Sequence, residues 1–341
     1  MMLKRKIEKI LGRWKESGDR KPLVIKGIRQ CGKTYIVRKF AKENYESVVY
    51  MNFILEPGVK SAFTGNIDVD TIILNLSALI PDCRFLEGRT CIVLDEIQEC
   101  KEARTALKSF HIDGRFDVIA TGSLLGVKGY GKSKKVQEGQ DSVPVGYETV
   151  VDMYPLDFEE FLWANGISER VIDSVKSCFE NETVVPDGIH KAMMDLLYRY
   201  VIVGGLPDVV NCFLETKNVE LIYKMQRNLL AEYEEDFLCK SGQKLYYFHK
   251  DSGLELDFLV RFKGECVILE VKAHTGKAKS MMTVLKNKNV YHVKSAIKLG
   301  HYNVGREGEL LTLPLYMGFL LEDRIEDSII PDIDLSSLTV I

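Results

Sequence analysis

The stretch Gly27-Ile28-Arg29-Gln30-Cys31-Gly32-Lys33-Thr34 decides the fold, because its glycines, lysine and threonine stand at the spacing GxxxxGK[ST]. The apolar run Leu23–Gly27 before it predicts a short buried strand, and the residues Lys33–Asn44 predict a helix. Glycines at this spacing let backbone N–H groups curl around phosphate oxygens, and the start of the following helix adds a partial positive charge. The stretch therefore predicts a phosphate-binding loop between a strand and a helix.

The residues of this loop have separate expected roles. The backbone from Gly27 to Thr34 is expected to surround the phosphates of ATP, with Lys33 reaching the β- and γ-phosphates. The hydroxyl of Thr34 is expected to bind Mg²⁺. The alternative is a glycine-rich turn without a ligand, but the strand before the loop and the helix after it favour the phosphate site.

Strands and helices alternate after the loop. Apolar runs predict strands over Ser47–Phe53, Thr90–Glu96 and Phe116–Ser123, and the segments between them predict helices over Asp70–Leu79 and Glu102–Phe110. Strands that are apolar along nearly their whole length are typical of a parallel sheet covered by helices on both faces. The chain is therefore expected to belong to the α/β class.

Polar residues end two of these strands. Asp95 and Glu96 follow Ile92-Val93-Leu94, the pattern of an acid that holds magnesium through water and a second acid that orients or deprotonates the attacking water. Acids at the end of an apolar strand are common, so the pair alone is a weak signal. The strand–helix units between the phosphate-binding loop and this pair make it a strong indication of a nucleotide site. Thr121-Gly122-Ser123 ends the next strand, where a hydroxyl, for which we favour Ser123, would contact the γ-phosphate or the water. The alternative is that Thr121 and Ser123 cap the next segment.

Composition is that of an ordinary globular protein. The chain has 341 residues, so two or three units are expected, and 46% of the residues are hydrophobic and 28% charged. The net charge of −3 does not indicate a nucleic-acid-binding protein, although local basic patches are compatible with it. None of the eight cysteines forms a CxxC pair, which argues against a zinc ribbon or a thioredoxin motif and predicts reduced core residues. The six histidines show no metal-binding spacing.

The N-terminal segment predicts an amphipathic helix. Its apolar residues share one face (Leu3, Ile7, Ile10, Leu11 and Trp14), and its basic residues occupy the other (Lys4, Arg5, Lys6, Lys9 and Arg13). Charges interrupt every apolar run, so the segment is not a signal peptide, and no stretch approaches a membrane span. We expect a helix docked on the next domain rather than on a membrane surface, and a cytoplasmic protein.

The motifs taken together resemble a known family. GIRQCGKT, LDEIQ, ATGS, YPLDFEEFL and VGGLPD resemble, in this order, the bacterial and archaeal AAA-type ATPases that carry a restriction-endonuclease-like C-terminal domain. The resemblance covers roughly residues 20–236 and 244–300, and it implies an αβα ATPase core with a helical lid. Relatives often have an arginine before the strand that leads into YPLDFEEFL; Val145-Gly146-Tyr147 stands at that place here. Arg104, Arg115 and Arg199 are other arginines that a neighbouring subunit's site could use.

The C-terminal part carries a second group of polar residues. Asp257 lies in a predicted strand, and Glu270 and Lys272 lie in the next one. Two carboxylates suit Mg²⁺ and a lysine suits a charged transition state, so the three resemble the PD-(D/E)xK nuclease arrangement. The alternative is that they are ordinary charges on the wet face of a hairpin. Relatives have a further helical segment where this chain runs from Asp236 to Lys244, which argues against DNA cleavage.

These inferences give a division of the chain and a function to test. We expect a leading helix (1–20), a P-loop ATPase core (21–165), a helical lid (166–240) and a small α+β nuclease-like domain (241–330). A mobile loop is expected over Gly126–Gly146 because that segment is rich in glycine and lysine. The predicted function is Mg²⁺-dependent ATP hydrolysis, with DNA, another protein or a second copy of the chain as partner and no membrane. The alternatives are a binding module that ATP switches without turnover, and an ATP-gated nuclease.

Overall fold

The computed structural model describes residues 3–18, 20–123, 146–229, 258–262, 265–271, 279–286 and 295–321. The chain divides into two compact units, the first made of Met1–Ile167 and Tyr200–Leu245 and the second of Ser168–Arg199 and Tyr246–Ile341. The predicted loop over Gly126–Gly146, apart from its last residue, lies outside the described residues. So does the segment between Asp236 and Lys244.

A five-stranded parallel sheet forms the centre of the first unit. Its strands lie in the order β2-β3-β4-β1-β5. Their bounds are β1 Leu23–Gly27, β2 Ser47–Asn52, β3 Thr90–Asp95, β4 Asp117–Ser123 and β5 Thr149–Met153. The predicted strands are confirmed with small differences at their ends, and the strand that leads into Tyr154 is β5. Every residue of β3 is buried, as expected for a central strand covered on both faces.

Helices cover both faces of this sheet. They are α1 Ile7–Glu16, α2 Lys33–Asn44, α3 Val69–Leu79 and α4 Lys101–Asp113. The same unit also contains α5 Phe158–Ala164, α8 Pro207–Thr216 and α9, which occupies 219–229 of the described residues. One core joins α3 and α4 to alternate residues of the central strands, among them Leu94 and Ala120. A second core joins α1 and α2 to the residues between them, among them Val93 and Ile119. The period-2 alternation of the strands therefore separates the two layers of helices.

Two residues of the N-terminal segment differ in exposure from the prediction. Ile7, Leu11 and Trp14 are buried as predicted, but Ile10 is 41% exposed because it lies at the edge of the apolar stripe. Arg5, predicted on the exposed basic face, is only 7% exposed. The reason is that α1 begins at Ile7, so Arg5 belongs to the segment that precedes the helix.

A mixed sheet forms the centre of the second unit. It has the order β6-β7-β8-β10-β9, with β7, β8 and β10 parallel and the edge strands β6 and β9 antiparallel to them. The strands are β6 Phe258–Phe262, β7 Glu265–Val271, β8 Ser295–Gly300, β9 Gly305–Glu307 and β10 Leu310–Pro314. The short strand β9 was not predicted from the sequence, because three residues carry too little periodicity to be recognised.

Three helices belong wholly or largely to this unit. They are α6 Glu169–Glu180, most of α7 Asp187–Val203, and α10 Lys279–Lys286. Met281 and Leu285 of α10 pack on Ile268 and Ala296 of the sheet. The unit is thus a small α/β region, and the described helices of residues 168–229 are divided between the two units.

The described parts of the chain show neither a membrane-spanning helix nor a cluster of metal-binding side chains. No helix there is long and apolar enough to cross a membrane. The same parts contain no group of three histidine, cysteine or acidic residues arranged to hold a metal ion. The six cysteines with described side chains are free thiols; Cys31, Cys91 and Cys100 are buried, and Cys83, Cys178 and Cys212 are partly exposed, so only three are core residues.

One glycine fixes how the segment after β5 meets the start of α8. Leu156 N donates a hydrogen bond to Gly205 O over 2.7 Å, and Tyr200 Oη donates to Leu156 O over 2.8 Å. A Cβ atom at Gly205 would stand 2.1 Å from Leu156 O, so the two backbones approach more closely than any side chain allows. The VGGLPD motif therefore has a structural requirement for glycine at this position.

We predict that Gly205→Ala destabilises the first unit by about 1–3 kcal/mol, because the added methyl group must push Leu156 away. The matched control is Gly58→Ala, where a Cβ meets no atom within 4 Å. Both tryptophans, Trp14 and Trp163, belong to the first unit, so urea unfolding followed by tryptophan fluorescence reports on that unit. Equal urea midpoints for the two variants would contradict the prediction.

Candidate functional site

The backbone of the predicted phosphate-binding loop is shaped by two left-handed residues and one close contact. Gln30 has φ 60° and Gly32 has φ 95°, and Gly32 leads directly into α2. A Cβ atom at Gly27 would stand 2.2 Å from Met153 O, at the end of β5. The first glycine of the motif is therefore required where β1 and β5 lie side by side, and the second where the chain turns into the helix.

The lysine of the motif is held inside its own loop. Lys33 is 6% exposed, and its Nζ donates hydrogen bonds to Gly27 O (3.0 Å) and Ile28 O (2.7 Å). Two carbonyl groups thus fix a positive charge at the start of α2. A fixed positive charge beside a loop of backbone N–H groups is what phosphate groups need.

The carboxylate of Asp95 collects donors from three elements around it. Asp95 is 1% exposed, and Thr34 Oγ1 donates to it at 3.1 and 3.0 Å. Tyr50 Oη (2.7 Å) and Asn52 Nδ2 (3.0 Å) donate from β2, and Thr121 Oγ1 donates from β4. Burial and the bond to Asp95 raise the pKa of Tyr50 to about 12, so this hydroxyl remains a donor at neutral pH.

These contacts bring together two of the predicted metal ligands. The Thr34 hydroxyl touches both oxygens of Asp95. Hydroxyl and carboxylate oxygens are ligands that Mg²⁺ prefers, so the side chains present fit this ion. Tyr50, Asn52 and the donor role of Thr121 toward Asp95 were missed from the sequence. The polar residues that interrupt the apolar strand SVVYMN were the available signal.

The second acid does not continue the strand as predicted. β3 ends at Asp95, and Glu96 adopts the left-handed conformation with φ 57° and ψ 48°. This conformation costs a non-glycine residue about 1–3 kcal/mol and is concentrated at functional sites. Gln98 Nε2 donates to Glu96 Oε2 over 2.5 Å, and Gln98 Oε1 accepts from the backbone N–H of Ser123 over 3.3 Å.

A cavity of about 680 Å³ lies over these groups. The cavity is lined by residues of the loop and of the segments around it: Arg29, Gln30, Gly32, Lys33, Thr34, Tyr35, Ile36, Ile54 and Glu96. Residues from three other parts of the first unit complete the lining: Leu3, Arg5, Met153, Pro207, Asp208 and Asn211. Ser123, 8% exposed, ends β4 beside Gly27 in the sheet register. Cys31, another variable position of the loop, is fully buried, and burial raises the pKa of its thiol. The cavity thus places apolar residues next to the loop, in a volume typical of small-ligand sites.

Arg5 ties the N-terminal segment to the loop. Its Nη1 donates to Cys31 O (2.9 Å), its Nη2 to Tyr154 O (2.6 Å) and its Nε to Glu160 Oε2 (3.1 Å). Glu160 also accepts from Lys6 N over 2.6 Å. Burial raises the pKa of Glu160, and the charge of Arg5 opposes that rise. A buried guanidinium therefore joins the loop, the end of β5 and helix α5.

The acidic residues of PLDFEEFL have a structural part in this arrangement. Asp157 and Glu160 form a capping box at the start of α5. Lys6 Nζ contacts Asp157 at 2.5 Å and Glu159 at 2.8 Å. The acidic residues of this motif thus bind Arg5 and Lys6, the two basic residues that directly precede α1.

The three arginines considered for action on a neighbouring site have different surroundings. Arg104 pairs with Glu148 at 3.3 Å, and Arg115 pairs with Asp113 at 2.7 Å and Asp70 at 2.6 Å. Arg199 is exposed. Two of the three are therefore held by acids of their own chain.

The second group of predicted site residues is described only in part. Asp257 and Lys272 lie outside the described residues. Glu270, on β7, is 4% exposed and stands opposite Lys298 in the register of β8. Glu270 is therefore not a charge on a wet sheet face.

We predict that Arg5→Met lowers the stability of the first unit by about 3 kcal/mol, because Glu160 is left as a buried charge without its guanidinium. ATP affinity should fall at least ~10-fold, because the Cys31 carbonyl loses the group that holds it. Arg13→Met is the matched control, since Arg13 is exposed on the same N-terminal segment. Fluorescence-detected urea unfolding and titration with a fluorescent ATP analogue measure both effects, and equal affinities for the two variants would refute the role of Arg5.

Comparisons with known proteins agree with the first unit's geometry. Residues 19–162 match the family model of an AAA domain, and residues 228–316 match a domain of unknown function, DUF4143. The second match names no activity, so it gives a nuclease no support. No curated protein matches the chain.

Several solved structures are similar to this chain. A Walker-type ATPase of Pyrococcus abyssi is 16% identical, with a TM-score of 0.40, over 71% of this chain and 77% of that one. AMPPCP-bound DnaA from Aquifex aeolicus is 13% identical, with a TM-score of 0.33, over 68% of each chain. The Thermotoga maritima RuvB Holliday junction branch migration motor is 12% identical, with a TM-score of 0.34, over 67% of this chain and 70% of that one. The AAA domain match and the parallel sheet with its phosphate-binding loop identify the first unit as a P-loop NTPase core of the AAA type.

Proposed function

We propose that this chain binds ATP with Mg²⁺ and hydrolyses it. The observation that carries the proposal is the contact of Thr34 with the buried carboxylate of Asp95, next to a cavity that Lys33, Thr34 and Glu96 line. A phosphate-binding loop, a pair of oxygen ligands and a further carboxylate are the parts that triphosphate hydrolysis requires.

Each side chain has a distinct part in the proposed reaction. The backbone of Gly27–Thr34 and the ammonium of Lys33 bind the phosphates, and Lys33 exchanges its bonds to Gly27 O and Ile28 O for bonds to phosphate oxygens. Thr34 and Asp95 would hold Mg²⁺, which when bound offsets negative charge on the phosphates. Glu96 accepts a proton from the attacking water and orients it. Ser123 contacts the γ-phosphate or that water.

The main alternative is a binding module in which ATP acts only as a switch. Both readings use the same loop and the same two ligands, so ATP binding does not separate them. The position of Glu96 favours hydrolysis, because its carboxylate follows Asp95 directly and lines the same cavity as Lys33 and Thr34. Steady-state release of phosphate separates the two readings.

The partner that turnover serves is a further part of the proposal. We propose coupling to DNA, to another protein or to a second copy of the chain. Phosphate release measured with and without DNA, and at several protein concentrations, distinguishes these partners. An ATP-gated nuclease using Asp257, Glu270 and Lys272 is a separate alternative that no contact of the described residues favours. Cleavage of linear and nicked DNA with Mg²⁺ or Mn²⁺, abolished by Asp257→Ala, would establish it.

We predict that Glu96→Gln keeps ATP binding and lowers phosphate release by ~10² or more, because the amide preserves the shape of the side chain but accepts no proton. Glu99→Gln is the control, since Glu99 is an exposed acid three residues further along the chain. Phosphate release is measured in the presence of Mg²⁺, and affinity is measured with a fluorescent analogue. Turnover by Glu96→Gln at the rate of Glu99→Gln would remove Glu96 from the mechanism.

A further inference from the structure

We propose that Gln98 is a positioning residue that holds the carboxylate of Glu96 in place for hydrolysis. This inference rests on the proposed function, and it concerns a side chain that does not itself line the cavity formed by the described residues. Gln98 lies in the short 3₁₀ helix Ile97–Glu99, which follows the left-handed Glu96 at the end of β3.

The two neighbours of the Gln98 amide determine which way it points. Its Nε2 faces the carboxylate of Glu96 at 2.5 Å, and a carboxylate can only accept. Its Oε1 faces the backbone N–H of Ser123 at 3.3 Å, and that group can only donate. Turning the amide over would set oxygen against oxygen and N–H against N–H, so one orientation satisfies both contacts and the other satisfies neither.

The backbone on both sides of this amide is fixed. Ile97, between the two polar residues, is fully buried and belongs to the core that covers one face of the sheet. Glu99 N donates to Glu96 O at 2.9 Å, and Glu96 N donates to Thr121 Oγ1 at 3.4 Å. Ser123 ends β4 next to Gly27, the first residue of the phosphate-binding loop.

Gln98 thus connects the proposed water-activating acid to the strand end beside the loop. Because Glu96 has three rotatable side-chain bonds, its carboxylate would otherwise sample several positions. A hydrogen bond to a carboxylate is among the stronger ones in proteins, and this one selects a single position. Misplacement of a catalytic group by about 1 Å can cost ~10² in rate, so a modest contact outside the cavity has a large effect on turnover.

The kinetic test removes the amide and keeps the length of the side chain. Gln98→Met should lower kcat ~10-fold or more and leave ATP affinity within about a factor of two, because no nucleotide-binding group changes. Gln98→Glu should lower kcat further, since its second oxygen meets Glu96 as a like charge. In the Glu96→Gln background, Gln98→Met should have no further effect on turnover, because Gln98 acts through that carboxylate.

A second measurement does not depend on turnover. The side-chain amide protons of Gln98, assigned by their loss from the NMR spectrum of Gln98→Glu, should exchange with water more slowly than those of a free glutamine. This protection should disappear in Glu96→Ala. Amide protons that exchange at the free rate in the parent protein would overturn the proposal, whatever the kinetics.

The kinetic outcomes also separate this proposal from the ATPase proposal. A parent protein without turnover would overturn both. A parent that hydrolyses ATP while Gln98→Met keeps or raises kcat would overturn only the role of Gln98. A fall in kcat of equal size in the parent and in the Glu96→Gln background would do the same, because it would show that Gln98 acts independently of Glu96.

Discussion

The carboxylate of Asp95 is 1% exposed, and an ionised group at that depth is stable only with hydrogen-bond donors around it. Thr34, Tyr50, Asn52 and Thr121 provide them. The helix after the phosphate-binding loop and the strands on both sides of β3 therefore each donate hydrogen bonds to the Asp95 carboxylate. The arrangement explains why polar residues stand at the ends of otherwise apolar strands.

The second constraint on the site is the attachment of the segment before α1. Arg5 holds the Cys31 carbonyl of the loop and the Glu160 carboxylate of α5, and Gly205 brings the start of α8 against Leu156. Residues far apart in the sequence, Leu3, Met153 and Pro207, consequently share one cavity with the loop. The motifs at residues 27–34 and 203–208 thus contribute to one cavity, and the motif at 154–162 is tied to it through Arg5.

Most of the first unit follows from sequence patterns because its signals are local. Neighbouring residues alone predict the strand that leads into the glycine loop and the helix that begins at Lys33. The structure contains both elements. The left-handed turn at Glu96 was missed because an acid after an apolar run looks like the end of a strand. The buried position of Arg5 was missed because its three partners come from distant parts of the chain. The role of Gln98 depends on a contact with the end of another strand, which periodicity does not reveal.

We propose that the Asp95 carboxylate is required for Mg²⁺ to strengthen ATP binding. Calorimetric titration with ATP, in Mg²⁺ and in EDTA, tests it by comparing the parent protein with Asp95→Asn, which keeps the size of the side chain and removes its charge. We predict that Mg²⁺ strengthens ATP binding by the parent at least ~10-fold, because Thr34 and Asp95 would hold an ion that offsets the negative charge of the phosphates. The variant should gain little or nothing. An equal gain in ATP affinity from Mg²⁺ in both proteins would contradict this role of Asp95.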